Sequence, residues 1–217
     1  MMQHKFDDFS QHVSLRGLLK LDRIAAEAAQ VARERESARM EVARANTDSS
    51  WIIVQVAFGR ETTVENDLTR AGIEACVPMR MGPERKRHGK RLPATLTPVF
   101  NGLVFVFCRR TGEAIRGVAS FEHVRKIVMD GERAIPISAQ AVNDFKDMAA
   151  RGEYDWNKDA GVFNKGDNVR LTSGPFVDYE VRIEAFAGAG NGDAVVTIPI
   201  FGRPEVFNMP LVMLEKV

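Results

Sequence analysis

The chain has 217 residues, which is enough for one large domain or two small ones. Its hydrophobic content of 45% is ordinary for a soluble globular protein, and no run has the length of a membrane span or the pattern of a signal peptide. Residues 51–150 carry 15 basic and 11 acidic side chains, whereas residues 151–217 carry 7 and 10. A basic middle and an acidic end predict separate modules that face different partners. The two cysteines, Cys76 and Cys108, fit buried free thiols in a reducing cytoplasm.

Residues 1–49 predict a helical extension that is partly disordered. From about residue 18 to residue 45, Ala, Arg and Glu dominate, which is typical of a long and mostly solvated helix. Its thin apolar stripe consists of Leu21, Ile24, Ala28 and Val31. Such a stripe either docks weakly on the next domain, pairs with another chain, or stays in solvent. The polar residues 46–50 predict a linker.

Residues 50–150 predict a small α/β sandwich, because strand-like and helix-like runs alternate along them. Strands at 51–56 and 73–79 flank a short helix at about 62–71. A further helix is expected at 139–150, directly after a serine that is a good N-cap.

Residues 98–107 are the most apolar and most aromatic run of the chain, which predicts a buried strand. Asn101 and Gly102 interrupt the run, and a glycine inside a strand pattern usually marks a bulge or a close approach to the backbone. Two interpretations stay open. The run is a core strand with a kink, or its first half lines an apolar surface pocket for a protein partner.

Residues 80–91 lie between the second strand and this central run, and they hold 6 basic residues and 1 acidic residue. Gly82-Pro83 and Gly89 are turn residues, so we expect an exposed hairpin tip. The tip is either a solvated turn or a contact that follows a nucleic-acid backbone through charge alone. The candidate nucleic-acid contacts are Arg85, Lys86, Arg87, Lys90 and Arg91.

Residues 151–161 are polar and predict a second linker. Residues 162–217 predict about five short strands and therefore a small β-barrel. Their β-branched, glycine-punctuated composition favours a constitutive barrel over a helical form. Small barrels often bind RNA, but this segment is net negative, so any nucleic-acid contact is expected at the basic hairpin instead.

The order of motifs in both modules resembles the NusG family of transcription elongation factors, over about three quarters of the chain. The first module resembles the family's N-terminal domain at residues 51–54, 59–61, 76–78 and 98–106, together with the basic hairpin. The second module resembles the family's KOW domain at residues 165–170, 173–176, 200–203 and 214–217. The implied fold class is α+β: an α/β sandwich of the NusG N-terminal type at 50–150, then a KOW-type barrel at 162–217.

The resemblance implies a transcription regulator. In this family the N-terminal domain packs an apolar depression onto the clamp helices of RNA polymerase and favours processive elongation and antitermination. The KOW domain contacts a second factor, such as a ribosomal protein of the small subunit or the termination factor Rho. By matching positions, the polymerase contacts are Trp51, Val99, Phe100, Asn101, Gly102 and Leu103. By the same matching, the KOW partner contacts are Phe176, Ile200 and Phe201.

Three positions depart from the family pattern. Asn101 stands where the family has proline, Leu103 where it usually has tyrosine, and Val181 where the KOW motif has glycine. The specialised relative RfaH likewise lacks that glycine and has Asn after the Phe. These departures, and residues 1–48, which match nothing in the core family, favour an RfaH-like paralogue that acts on selected operons. A role in elongation and a role in termination both stay open.

Other classes of function compete with this interpretation. The strongest rival is an RNA- or DNA-binding module that uses residues 80–91, and a third is an interaction scaffold that works through the N-terminal helix. An enzyme is disfavoured because the four histidines lack metal-ligand spacing and no nucleophile motif stands out. The loop at residues 188–192 lacks the Lys-Ser/Thr of a phosphate-binding loop. We therefore expect no catalytic residue, cofactor or metal, and no membrane contact.

Overall fold

A computed structural model describes residues 14–39, 49–156, 163–187, 192–200 and 203–217. The helices in these ranges are α1 (Leu15–Arg39), α2 (Glu61–Arg70), α3 (Gly112–Ala119) and α4 (Ala139–Ala150). None of these described helices combines the length and the hydropathy that a membrane crossing needs.

The described strands form two groups along the chain, one between residues 49 and 134 and the other between residues 168 and 216. They are β1 Ser49–Val56, β2 Glu74–Cys76, β3 Met79–Met81, β4 Arg85–Arg87, β5 Lys90–Leu92, β6 Leu96–Pro98, β7 Leu103–Arg109, β8 Val124–Ile127, β9 Met129–Asp130, β10 Arg133–Ala134, β11 Asn168–Leu171, β12 Glu180–Ala187, β13 Asp193–Ile200, β14 Arg203–Pro210 and β15 Leu214–Lys216. A central antiparallel sheet has the order β2–β7–β1–β8, with Trp51 opposite Phe107 and Val54 opposite Val104. The short pairs β3–β6, β4–β5 and β9–β10 lie beside it.

Strands β1 and β7 are buried on both sides, so their alternating side chains enter two separate cores. We call the side covered by α2, α3 and the end of α1 the helical face. It receives Ile52, Val54, Val104 and Val106, and its core is mainly aliphatic. We call the opposite side the barrel face. It receives Trp51, Ile53, Phe105 and, from α4, Phe145.

The C-terminal strands form an antiparallel five-stranded sheet in the order β14–β13–β12–β11–β15. Its interior is filled by alternate apolar residues, among them Val169, Leu171, Ile183 and Val196. A register shift between Ile183 and Ala185 adds curvature to β12. This is the small barrel that the sequence predicted, and with the preceding sheet and helices it confirms the α+β class. We call residues 168–216 the C-terminal barrel.

The central apolar run is not one kinked strand, so that prediction was wrong. Its first residue, Pro98, is the last of β6, which pairs with β3, and β7 begins only at Leu103. Between them the chain turns, with Gly102 at a φ of 79°, a left-handed conformation that favours glycine. The Gly102 carbonyl accepts a hydrogen bond from the Val56 N–H at 2.9 Å. The glycine therefore makes a turn between two sheets rather than a bulge within one.

The C-terminal end of α1 docks on α3. A Cβ at Gly117 would collide with the Glu34 carbonyl, so the two helices touch backbone to backbone there. Arg35 donates hydrogen bonds to the Ser120 hydroxyl and carbonyl, and its guanidinium lies 4.1 Å from the centre of the Phe121 ring. Ala38 is buried in this contact. Of the three possibilities for the helix, this end therefore docks within its own chain, on α3.

The N-terminal half of α1 lies beyond this contact. Leu15 and Leu19 are exposed, and so are Leu21 and Ile24, the first two residues of the predicted apolar stripe. The predicted end of the helix near residue 45 falls outside the described residues.

Candidate functional site

The turn that carries the predicted polymerase contacts is held by the first residue of α2. Glu61 is buried, and its Oε1 accepts hydrogen bonds from the N–H groups of Gly102 at 2.6 Å and Gly59 at 3.1 Å. Because Glu61 stands in the first turn of α2, its negative charge also meets the positive end of the helix dipole. The turn at 99–103 is therefore fixed to the sheet by Val56 and to a helix by Glu61.

The apolar residues of this turn are not on the surface. Phe100 is only 3% exposed, and Val99, Leu103 and Trp51 are buried as well. The interpretation in which the first half of the run lines an open surface pocket therefore does not hold in this structure, because these side chains are buried. Asn101 and Gly102, at the tip of the turn, are the half-buried members of the set.

The C-terminal barrel is what covers Phe100. Its ring centre lies 6.0 Å from that of Phe176, edge to face, and 5.3 Å from that of Phe145 on α4. The Phe176 ring lies 5.1 Å from the Phe207 ring, and Phe176 is itself only 5% exposed. The two predicted contact sites, one for polymerase and one for a second factor, thus cover each other. Nothing in the local sequence around either aromatic residue indicates this pairing, because 75 residues separate them.

A buried ion pair also joins the two parts of the molecule. The Nη2 of Arg80 donates to the Oδ1 of Asp193, and both side chains are almost fully buried. The Nη1 of Arg80 also donates to the Tyr154 carbonyl at 3.4 Å, and the guanidinium lies 5.6 Å from the Trp156 ring. Arg80 was expected in the exposed basic hairpin, but β3 points it inward to the barrel. Its charge is therefore used within the molecule.

The start of the predicted second linker is packed rather than free. The Met81 N–H donates to the Asp155 carboxylate at 2.8 Å, and the Trp156 N–H donates back to the Met81 carbonyl at 3.0 Å. Burial raises the pKa of Tyr154 to about 12. A Cβ at Gly192, where β13 begins, would overlap the Trp156 ring. Residues 154–156 therefore lie wedged between β3 and the barrel, while residues 157–161 fall outside the described part.

The basic hairpin forms as predicted from β4 and β5. Its tip has His88 at a φ of 49° and Gly89 at 77°, the pair of positive φ values that a tight hairpin turn requires. Lys90 and Arg91 are exposed. The side chains of Arg85, Lys86 and Arg87 are outside what the structure describes, and so are that of Ile200 and the whole of Phe201.

An apolar rim remains open where the barrel meets the turn. A cavity of about 190 Å³ lies there, and we call it the seam cavity; it is lined by Gln55, Val56, Phe58, Asn101, Gly102, Leu103, Arg125, Val206 and Phe207. At its rim Phe58 is 73% exposed and Val206 is 63% exposed. Sequence reasoning missed Phe58, although an aromatic residue directly before the Gly59 turn was an available signal.

A second cavity, of about 470 Å³, lies between β2, β3 and α4 and includes Cys76 and Lys146 in its lining. Burial raises the pKa of the Cys76 thiol to about 12, which leaves it protonated and a poor nucleophile at neutral pH. Within the described ranges, no group of three or more His, Cys, Asp or Glu residues could hold a metal ion. The second cavity thus offers space but no reactive group.

The sequence and the structure were compared with those of known proteins. Residues 49–146 match the family model described as transcription termination factor nusG. A structure reported for domain interaction in Thermotoga maritima NusG is 24% identical, covers 78% of this chain and 97% of its own, and gives a TM-score of 0.41. Two structures of an MjSpt4:Spt5 complex also match, and each covers 77% of this chain. Conformation A is 12% identical, is matched over 97% of its own chain and gives a TM-score of 0.23. Conformation B is 13% identical, is matched over 96% of its own chain and gives a TM-score of 0.27.

Proposed function

Residues 49–146 belong to the NusG family of transcription elongation and termination factors. From this premise we propose that the chain binds RNA polymerase through the turn at 99–103. The observation that carries the proposal is the cluster of large apolar side chains that meets at this turn under a separable cover. Phe100 is the central side chain, and Trp51 and Leu103 belong to the same core. Aromatic anchors of this kind supply most of the binding free energy in many protein interfaces.

Polymerase binding then requires that the C-terminal barrel leave the barrel face. Phe100 cannot reach a partner while Phe176 packs on it. The cover is attached through the segment that precedes β11, so it can move away without unfolding the central sheet. We accordingly divide the chain into an extension at 1–49, a polymerase-binding domain at 50–150, a linker at 151–161 and a KOW-type barrel at 162–217.

The released barrel recruits a second factor in this proposal. Phe176 would supply an aromatic anchor there, with Ile200 and Phe201 beside it. Because Phe176 is buried against Phe100, both surfaces become available in the same step. A ribosomal protein of the small subunit or the factor Rho would be the partner. The protein would act in the cytoplasm as an RfaH-like paralogue that promotes processive transcription of selected operons.

A second candidate function, contact with nucleic acid, is favoured by the projecting β4–β5 hairpin with its exposed Lys90 and Arg91. Such a contact would be driven by charge and would weaken steeply as salt is raised. It is compatible with polymerase binding, since a factor seated near the transcribed DNA could touch the non-template strand. Neutralising Lys90 and Arg91 should reduce the salt dependence of DNA binding and leave polymerase binding unchanged.

Capture of RNA polymerase by the purified full-length chain tests the main proposal. We would compare the wild type, Asp193→Ala, and Asp193→Ala combined with Phe100→Ala. The first substitution removes the partner of Arg80 and should favour separation of the barrel, so binding should rise. The added loss of the Phe100 ring should then reduce affinity by at least about tenfold, as expected for an interface hot spot.

Two further variants guard against misfolding in that comparison. Asn101→Asp, in the Asp193→Ala background, places a charge at the half-buried tip of the turn and should weaken binding without disturbing the core. Leu96→Ala removes an exposed leucine four residues before Phe100 and serves as the matched control. Equal binding of polymerase by all these variants, or by none, would contradict the proposed site.

A further inference from the structure

We infer that Phe58 and the seam cavity form the initial contact site through which polymerase engages the protein while the barrel still covers Phe100. This inference rests on the proposed function and adds the order of events to it. A covered site poses a kinetic question: either the barrel separates first by itself, or the partner binds an uncovered edge and then displaces it. The structure has such an edge.

Phe58 is exposed in a position where an exposed aromatic side chain is unusual. It is 73% exposed although it lies only two residues after β1, a strand whose apolar residues are buried. Burial of a phenylalanine side chain is favourable by roughly 1.5–3 kcal/mol, so leaving it in water forgoes that stabilisation. Val206, on β14 of the barrel, is similarly exposed and lines the same cavity. The rim of the seam cavity therefore carries one large apolar side chain from each part of the molecule.

The seam cavity also reaches the proposed polymerase contacts. Asn101, Gly102 and Leu103 line it, together with Phe207 of the barrel. A side chain that enters between Phe58 and Val206 therefore touches part of the final binding surface before the barrel has moved. The two contacts with polymerase would be continuous and need no transfer between distant sites.

Contacts inside the interface connect this edge to the cover over Phe100. Phe207 packs on Phe176 at 5.1 Å, and Phe176 packs on Phe100 at 6.0 Å. Both Phe176 and Phe207 belong to the barrel, so displacement of β14 at the seam cavity moves the ring that covers Phe100. Since closely packed side chains transmit small shifts, a wedge at this end separates the aromatic contact progressively.

The lining indicates what kind of surface fits. Among the described residues that line the seam cavity, Arg125 is the one charged side chain, and it is exposed. The other eight lining residues carry no charge and five of them are apolar, so a nucleic-acid backbone would gain little there. A second copy of the chain would present the same positively charged rim. An apolar side chain with acidic neighbours satisfies both the cavity and its rim.

Association kinetics with RNA polymerase test the inference, with the full-length chain in every case. We would measure association rate constants for Phe58→Ala and for Val206→Ala, each alone and combined with Asp193→Ala, which favours separation of the barrel. Val177→Ala is the matched control, because Val177 is a 46% exposed valine of the barrel that does not line the seam cavity. Both substituted side chains are exposed, so the fold should be retained.

The expected result is a difference between the two backgrounds. Each of Phe58→Ala and Val206→Ala should lower the association rate constant about fivefold to tenfold in the otherwise wild-type chain, within the range that single interface variants show. In the Asp193→Ala background the same substitutions should change it by less than about twofold, as should Val177→Ala in both.

Other results overturn the inference in recognisable ways. Equal slowing in both backgrounds would make Phe58 an ordinary contact of the separated form, and no slowing in either would remove the initial contact site, while both leave the proposed function intact. If neither the wild type nor Asp193→Ala binds polymerase, the proposed function fails, and this inference fails with it.

Discussion

The two faces of the central sheet are covered in different ways. The helical face is closed by α1, α2 and α3, all of which belong to the first 119 residues of the chain, and its core is mainly aliphatic. The barrel face is closed by α4 and by strands that begin at residue 168, and its core is rich in aromatic rings. A buried ion pair, Arg80 with Asp193, lies only on the second side among the described residues.

This difference indicates which cover can leave. Separation of the helical face would expose mainly aliphatic surface. Separation of the barrel face also exposes apolar surface, but it returns water to two ions whose burial costs several kcal/mol each. The attraction within the pair offsets that cost only while the geometry is kept. The ion pair thus makes the barrel interface specific and, at the same time, easier to open than a wholly apolar one.

The largest expected effect comes from breaking the ion pair on one side only. Asp193→Ala leaves Arg80 buried without its ionic partner, and breaking a buried pair in this way typically costs about 3–5 kcal/mol. Hydration of Arg80 relieves that cost if the barrel separates, so we expect a larger radius of gyration by small-angle X-ray scattering. Trp156, which lies against Arg80, should show red-shifted fluorescence.

Removal of both charges is the control for that experiment. Arg80→Met with Asp193→Leu replaces the pair by apolar groups, a change that is often neutral or stabilising. This double variant should keep the scattering profile of the wild type. A wild-type profile for Asp193→Ala as well would show that the pair does not hold the barrel in place.

Gly117→Val should act on the helical face alone. The new side chain would overlap the backbone of α1 at Glu34, and overpacking of this kind costs roughly 1–3 kcal/mol. We expect the end of α1 to detach, so that hydrogen exchange of amides 30–38 accelerates while Trp156 fluorescence stays unchanged. A shift in that fluorescence would mean that the two faces are coupled and do not open independently.

The N-caps of α3 and α4 offer a matched pair of smaller changes, one on each face. The Thr111 hydroxyl accepts from the Ala114 N–H at 3.3 Å, and the Ser138 hydroxyl accepts from the Ala141 N–H at 3.1 Å. Replacement of either by alanine should lower the free energy of unfolding by about 1 kcal/mol in urea titrations. Only Ser138→Ala should also loosen the barrel, because α4 carries Phe145, which packs on Phe100.

The smallest expected effects concern the two cysteines, one of which lies on each face of the central sheet. Burial raises the pKa of both thiols from 9.0 to about 12. Cys108 belongs to the core of the helical face, whereas Cys76 packs against the core of the barrel face. Because the unfolded chain loses these protons first, stability should fall as the pH rises from about 9 towards 12. At pH 8, alkylation of the folded protein should be slow, and Cys76 should react before Cys108, since Cys76 borders an open cavity. Rapid labelling of Cys108 would contradict a permanently closed helical face.

Much of the fold was predictable because its signals are local. Period-two apolar runs gave the strands, the Ser138 N-cap gave the start of α4, and short glycine-punctuated strands gave the barrel. The run at 98–107 was misinterpreted because apolar periodicity continues through Asn101 and Gly102, whereas the chain turns there and changes sheets. The apolar composition of this run correctly predicted that its side chains are buried. It could not predict which element of the chain buries them.

By itself the sequence determined the family motifs, the elements and the division into a basic and an acidic part, since each depends on residues close together in the chain. Only the tertiary structure decided that Phe100 faces Phe176, that Arg80 pairs with Asp193 and that Phe58 stays in water. The two contacts join residues that are more than 75 positions apart in the chain. The exposure of Phe58 depends on where the interface between the barrel and the central sheet ends. An aromatic or charged side chain has the same local pattern whether its partner is another molecule or the far end of its own chain, and only the packing of the whole chain distinguishes the two.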